Sequence, residues 1–394
     1  VNPDFLRIVL CEFRGRFMSI RDQFPILEHT NYLASCSHGA LSVQVRKAYE
    51  HYLNDRETYG AHWDYWVEQL ETTRDTLAEL VGCNSDELAV TPSVSNAVSS
   101  LASGIDFSGE RNKIVCTEFD FPTTGQIWRA HEQRGAEVVY IAASEDGTRI
   151  PYEHFKQVID ETTAVVSIPH VCYRNGAKLD IKPIIELARS RGALVVLDSY
   201  QTLGTMPINV VDLNVDVLLG GAQKYLLGSS GTGFMYVRKD VIQQLRPTTS
   251  GWFCQDNISA MDIYANQPSL TARRFEGGTP NVPNLYAVIA GINLIRSIGL
   301  EKIEAHNALL LDAFKEGIKQ RGFTLATNSD GRYHGAMIAI KSTDMSKLVG
   351  MLSRDRIITS CRDGNLRVSV HIYNNLTDID QLLNALTKHK HLLI

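Results

Sequence analysis

The chain reads as an α/β protein: a large domain with a mostly parallel sheet flanked by helices, plus a smaller α+β C-terminal domain. Three observations predict this. Short apolar runs rich in β-branched residues alternate with amphipathic stretches of helical period, the rhythm of a βα sheet. Two successive apolar runs lead into a charged residue. Ala193-Leu194-Val195-Val196-Leu197 ends in Asp198, and Leu218-Leu219-Gly220-Gly221-Ala222-Gln223 ends in Lys224. After about Pro280 the alternation gives way to long helical stretches followed by separate strands.

Taken in order, residues 1–17 read as an upstream extension, because Met18-Ser19 looks like a natural start. Phe5 to Phe13 is apolar but carries Arg7 and Glu12, too short and too charged for a secretory signal. Residues 18–280 are expected to hold the N-terminal segment and the large domain, and 281–394 the small one. Ala48 to Val81 predicts a helix, with Leu70, Leu77, Leu80 and Val81 at helical spacing and Gly82 placed to end it. Leu88-Ala89-Val90 is a short strand, and a helix starts at about Val94. Strands follow at Lys113–Thr117, Glu137–Ile141 and Ala164–Ile168, with helices at Thr124–Gly135 and Ile181–Arg191. Next come the strands before Asp198 and Lys224, and one at Gly233–Val237. Residues 246–284, rich in Pro, Gly, Asn and Ser, predict loops at a site mouth or domain junction. In the last part, Leu285–Ile298, Ile303–Arg321 and the amphipathic Ile379–Leu392 predict helices, and Gly335–Ile340 and Leu366–Val370 predict strands.

Composition excludes several classes. With 394 residues, 44% apolar and 21% charged, the chain has the balance of a soluble globular protein. A net charge of −5 without a basic stripe argues against nucleic acid as a partner. No run approaches the roughly 18 apolar residues of a membrane span. The cysteines (Cys11, Cys36, Cys83, Cys116, Cys172, Cys254, Cys361) are scattered, with no zinc-like spacing. They read as free thiols of a reducing, cytoplasmic compartment, and no metal site is expected.

The residues that carry chemistry are Asp198 and Lys224. A strand that runs into a carboxylate, beside one that runs into a lysine, is the layout of a pyridoxal phosphate (PLP) site. The lysine amine would hold the cofactor covalently, and the carboxylate would keep its ring nitrogen protonated. Ligands of such sheets gather beyond the carboxyl ends of strands, where both residues fall. Small residues on both sides of Lys224 let backbone approach a planar ligand. Desolvation there would lower the lysine pKa and make it nucleophilic. Thr91-Pro92-Ser93-Val94-Ser95, between strand and helix, offers hydroxyls and free amides to a phosphate; a plain Ser N-cap is the bland reading. A nucleotide-binding α/β protein would want a glycine-rich turn after its first strand, and the loop after Leu88-Ala89-Val90 has no glycine.

Four ordered stretches carry a family resemblance: Leu197-Asp198-Ser199-Tyr200-Gln201, Gly220 to Gly228 around Lys224, Arg274-Phe275-Glu276-Gly277-Gly278-Thr279-Pro280-Asn281, and Leu366-Arg367-Val368-Ser369-Val370-His371-Ile372-Tyr373-Asn374. From about residue 24 onward the chain resembles the class V, fold-type I PLP enzymes: cysteine desulfurases, selenocysteine lyases, cystine C–S lyases and isopenicillin N epimerase-like proteins. The resemblance implies Lys224 as cofactor-bearing lysine and proton shuttle, Asp198 on the ring nitrogen and Gln201 on the phenolic oxygen. It gives Ser95, the Val94 amide and Gln223 to the phosphate; Gln223 stands where His is frequent, and its amide can still donate. It gives Thr279 to the phosphate of a neighbouring subunit, hence a homodimer with shared sites, and Arg367 to the substrate carboxylate.

Two departures stand out. Desulfurases stack a histidine on the ring; here Glu118-Phe119-Asp120-Phe121-Pro122-Thr123 offers Phe121, with Phe119 left open, and resembles the kynureninases. Phe can stack but cannot act as acid or base. Cys361 lies just before Arg367, too close for a swinging cysteine loop, and reads as a bystander. His170 follows a strand and would help position cofactor or substrate, or else packs at the strand end. His38, in Ser35-Cys36-Ser37-His38-Gly39, and the cluster His62-Trp63-Asp64-Tyr65-Trp66 resemble substrate-lining segments, although Trp63 and Trp66 equally suit core or dimer contacts. The expected activity is a reaction at the α-carbon of an L-amino acid. β-Elimination by a C–S lyase without a catalytic cysteine is favoured, with transamination or epimerisation as alternatives. An idle scaffold on this fold would be marked by loss of Lys224, Asp198 or Arg367, and all three are present.

Overall fold

The computed structural model describes residues 20–394, so the extension expected at 1–17 lies outside the described residues. After a short 3-10 helix, Pro25–Glu28, comes the first strand, β1 (Asn31–Tyr32). The helix predicted over 48–81 is two helices, Val43–Tyr59 and Trp63–Val81. The first starts where the Ser42 side chain accepts from the Val45 amide (3.2 Å) and stops at Gly60, whose φ of 70° no helix continues through. Leu70, Leu77, Leu80 and Val81 face the core, which is why the periodicity was legible across the break.

The central sheet comprises β2 (Leu88–Thr91), β3 (Lys113–Thr117), β4 (Glu137–Ile141), β5 (Thr163–Pro169), β6 (Leu194–Asp198), β7 (Val217–Gly221) and β8 (Gly233–Val237). Their order is β2-β8-β7-β6-β5-β3-β4. Only β8 runs antiparallel to its neighbours. Helices cover both faces, so the central strands are apolar throughout rather than alternating. Val195, Leu197, Leu218 and Phe234 pack into the core on one face. Val196, Val217, Leu219 and Met235 pack into the core on the other. This is the mostly parallel sheet flanked by helices that the pattern predicted.

Beyond it, helices Val282–Ile298 and Leu300–Gln320 meet at Gly299. They lead to β9 (Met337–Lys341), helix Met345–Arg354, β10 (Ile357–Ile358), β11 (Ser360–Arg362), β12 (Asn365–Ser369) and helix Leu376–Lys388. β11, β12 and β9 form an antiparallel sheet in that order. β1 pairs in parallel with β10, and Ala34 bridges to Ser369, so the N-terminal segment lies on these C-terminal strands. Leu33 accordingly sits in one core with Phe314, Ile338, Val368 and Leu382. Among the described residues, no single helix is long and apolar enough to cross a membrane.

Candidate active site

β5, β6 and β7 run in parallel, and register pairs Pro169 with Asp198 and Asp198 with Leu219. Their carboxyl ends therefore open together. A cavity of about 310 Å³ lies there, and its lining brings together Asp198, Lys224, Gln201, Gln223, Arg367 and Phe121. Ser93, Val94 and Ser95 close one end. Ser93 caps helix Val94–Ser103, its hydroxyl accepting from the Asn96 amide (3.2 Å). The first-turn amides have no intrahelical partner, so this end of the cavity suits an anion.

The Asp198 carboxylate accepts one hydrogen bond, from the Tyr200 amide (2.9 Å), and no other from any described residue. Burial pushes its carboxyl pKa up, while the Tyr200 amide and the Lys224 cation pull it down. Such a carboxylate stands ready for a further cationic or N–H partner. Lys224 sits in the turn after β7, closed by Leu227 N–H to the Lys224 carbonyl (3.2 Å) and Gly228 N–H to the Ala222 carbonyl (2.9 Å). The N-terminal segment holds this turn from outside, Gly39 N–H donating to the Gln223 carbonyl at 2.8 Å. A Cβ on Gly39 would lie 2.3 Å from the Lys224 carbonyl oxygen, so only glycine allows the approach.

The Lys224 amine lies 4.3 Å from the Tyr200 ring centroid and 5.9 Å from that of Phe121. Burial pushes its pKa down to about 8; Asp198 and Cys36 oppose this, and Arg367 and Arg362 add to it. Phe121 starts helix Pro122–Ala130 and packs edge-on against Tyr173 at 4.9 Å. Both phenylalanines line the cavity; Phe121 brings its ring near the amine, and Phe119 is buried as part of the core.

Arg367 on β12 is buried, its Nη1 donating to the Tyr173 carbonyl (2.7 Å) and its Nη2 to the Ser37 hydroxyl (2.9 Å). Its Nε has no partner. Gln201 donates to the Cys36 carbonyl (3.1 Å), and its own side-chain oxygen is left buried without a partner. Cys361 faces Leu366 across a hairpin closed by Asp363 and Gly364, with φ of 50° and 75°. Two positive-φ residues make the tight turn that suits strand twist, and fix the hairpin. Arg362 lines the cavity, and Cys361, one residue earlier, does not.

Three expected residues stand elsewhere. His170 is not in this cavity. Pro169 and Val171 line it, and strand alternation turns His170 toward a separate cavity with Lys178, Asp180 and Met206. There burial pushes its pKa down to about 3, so it is neutral. His38 is exposed and bonds the Gly39 carbonyl (2.9 Å) while its neighbours Cys36 and Ser37 line the cavity. Thr279 is exposed and lies outside the cavity of its own chain. Sequence reasoning placed Cys36 and Ser37 in a substrate-lining segment, which the cavity bears out, and missed Tyr200 and Arg362 as lining residues. Tyr200 was signalled only by its place between Asp198 and Gln201. Among the described residues, no His, Cys, Asp and Glu cluster could hold a metal ion.

The model of the class-V aminotransferases matches residues 40–382. The chain belongs to the class-V aminotransferase family. It is 35% identical over 374 residues to an uncharacterized aminotransferase, YcbU, of Bacillus subtilis (strain 168), covering 94% of this chain and 98% of the relative. Two solved structures share the fold. The apo cysteine desulfurase of Thermococcus onnurineus NA1 has a TM-score of 0.86 at 21% identity, covering 95% of this chain and 98% of that one. A C-DES mutant with glycine covalently linked to its PLP cofactor has a TM-score of 0.87 at 19% identity, covering 93% and 98%. As a class-V member the chain is an enzyme, and its cofactor is pyridoxal phosphate. The residues present fit that group: a half-buried carboxylate with an unfilled side, a partly neutral amine near two rings, and free helix-start amides.

Proposed function

We propose that this class-V enzyme acts at the α-carbon of an L-amino acid and β-eliminates a sulfur or other leaving group, as a C–S lyase without a catalytic cysteine. The observation that carries the reading is the hairpin. Cys361 is fixed against Leu366 and off the cavity, while Lys224, Asp198 and Arg367 converge in it. Elimination needs those three groups and no thiol that travels to the substrate.

In this reading Arg367 clamps the substrate carboxylate, with its guanidinium already aimed by Tyr173 and Ser37. Lys224, with a pKa near 8, moves the proton at the α-carbon. Asp198 would hold the ring nitrogen protonated, and Gln201 would donate to the phenolic oxygen. Ser95, the Val94 amide and Gln223 take the phosphate. Phe121 and Tyr200, whose rings lie near the Lys224 amine, would keep water from it. Bound PLP supplies the sink for the electron pair left at the α-carbon. The enzyme works as a cytoplasmic homodimer in which Thr279 serves the partner's phosphate. The exposed apolar run of Met261, Ile263 and Tyr264, which finds no cover in its own chain, supports that assembly.

A second reading, transamination, is favoured by the YcbU relative, which is named an aminotransferase. Incubating the holoenzyme with cysteine, cystine and alanine separates the two. Pyruvate with released thiol or sulfide supports elimination. Conversion of the cofactor to its amine form, with no pyruvate from cysteine or cystine, overturns it.

A further inference from the structure

The cavity carries more positive charge than the proposed reaction uses. Lys224, Arg362 and Arg367 line it, against the single carboxylate of Asp198. Lys224 belongs to the cofactor and Arg367 to the α-carboxylate, which leaves Arg362. Its guanidinium makes no ion pair with any described residue, and its only side-chain hydrogen bond goes to the adjacent Cys361 carbonyl (3.1 Å). The nearest carboxylate in sequence, Asp363, pairs instead with Arg174 at 3.2 Å.

The hairpin sets where this free cation stands. Ser360 pairs with Arg367 and Arg362 with Asn365, so Arg362 shares the face of β11 that Ser360 presents. The two guanidinium groups thus enter the cavity from one wall, offset along the hairpin. Phe119, Phe121, Val171 and Tyr173 also line the cavity, and none of their side chains neutralises a cation. Lys224 feels both arginines, since each lowers its amine pKa.

We propose that Arg362 binds an acidic group on the substrate side chain, so that the preferred substrates are L-amino acids carrying a second carboxylate or an equivalent anion. The proposal rests on the reading in which Arg367 takes the α-carboxylate. A planar guanidinium whose one hydrogen bond runs from Nη1 to a backbone carbonyl keeps Nη2 and Nε for such an anion, and its exposed position leaves room for the side chain to extend toward solvent.

The test compares S-carboxymethylcysteine with S-ethylcysteine, and glutamate with glutamine, on the wild-type holoenzyme and on Arg362→Gln and Arg362→Lys. The wild type should favour the acidic member of each reactive pair. Arg362→Gln should lose about tenfold to a hundredfold in kcat/KM on acidic substrates, mainly through KM. Neutral substrates should stay within about twofold, and Arg362→Lys should recover part of the loss. In parallel, glutarate and butyrate are titrated by calorimetry, which needs no turnover. Glutarate should bind the wild type more tightly, and Arg362→Gln should erase the difference. Equal use of acidic and neutral substrates by the wild type, or equal losses on both in Arg362→Gln, would overturn the proposal. A protein that shows no visible cofactor band would refute the cofactor reading instead, and the glutarate–butyrate comparison would still decide the role of Arg362.

Discussion

Lys224 should capture the cofactor well below the pH at which an ordinary lysine reacts. The amine attacks only when neutral. Its pKa near 8 leaves about a tenth of it neutral at pH 7, where a free lysine of pKa about 10.4 has only a few parts in ten thousand. The gain in reactive amine is on the order of a few hundredfold. Protein stripped of cofactor would be mixed with PLP between about pH 6 and about pH 10, spanning both values. The rate is followed at the visible band, and the product is trapped with borohydride and located by peptide mass. The rate should climb with pH and level off above about 8. The sign is set by protonation: below that value the ammonium form dominates and capture slows. Arg367→Gln removes a neighbouring cation and should move the midpoint up. Lys224→Ala should abolish the band and leave the circular dichroism spectrum unchanged. A midpoint near that of free lysine, or a downward shift in Arg367→Gln, would refute the reasoning.

The other expectations concern separate parts of the structure. Arg367→Ala should raise KM for amino acids by tens-fold or more, since hydrogen bonds between charged groups contribute about 1.5–3 kcal/mol. Amines lacking the carboxylate should lose far less, and equal losses in steady-state assays would remove the clamp role. Cys361→Ala should leave kcat/KM on cysteine and cystine within about twofold; a collapse of activity would restore a desulfurase mechanism. Arg74 is buried, with its Nη1 2.5 Å from Glu276 Oε1 and 2.7 Å from the Leu88 carbonyl. Arg74→Ala strands the Glu276 carboxylate and should cost about 3–5 kcal/mol in urea unfolding. A loss below about 1 kcal/mol would show that this pair does not fix β2 to the segment before Thr279.

The strands of the central sheet were legible because both faces are buried, so each reads as an unbroken apolar run bounded by turns. Lys113–Thr117, Glu137–Ile141 and Gly233–Val237 have the bounds expected from sequence. The direction of β8 was not legible, because apolar content is the same in parallel and antiparallel strands. The break at Gly60 was hidden by a helical period that resumes beyond it. The two-residue strands β1 and β10 have no periodicity to read; they exist through pairing across most of the chain. At the site, Asp198 and Lys224 were legible because one ends its strand and the other sits in the turn just past the next. Arg362 was not, because its place depends on which face of a short hairpin turns inward. His170 was misplaced for the same reason: position along a strand says that a residue is at the rim, and parity decides the side.

The N-terminal segment carries a consequence for how the molecule is made. Its Leu33 N–H donates to the Ile358 carbonyl (2.8 Å), the Ser369 N–H donates back to Leu33 (3.0 Å), and Gly39 reaches the Lys224 turn. A ribosome delivers this segment more than 300 residues before the β10 and β12 strands that hold it. For most of synthesis β1 has no strand to pair with, and the lysine turn lacks its outer brace. The βα units of the sheet can assemble as they emerge, whereas the catalytic cavity closes only when the final strands arrive. Cofactor capture therefore waits on residues 357–369, and a nascent protein stalled before residue 357 would present a folded sheet with an open, unbraced lysine.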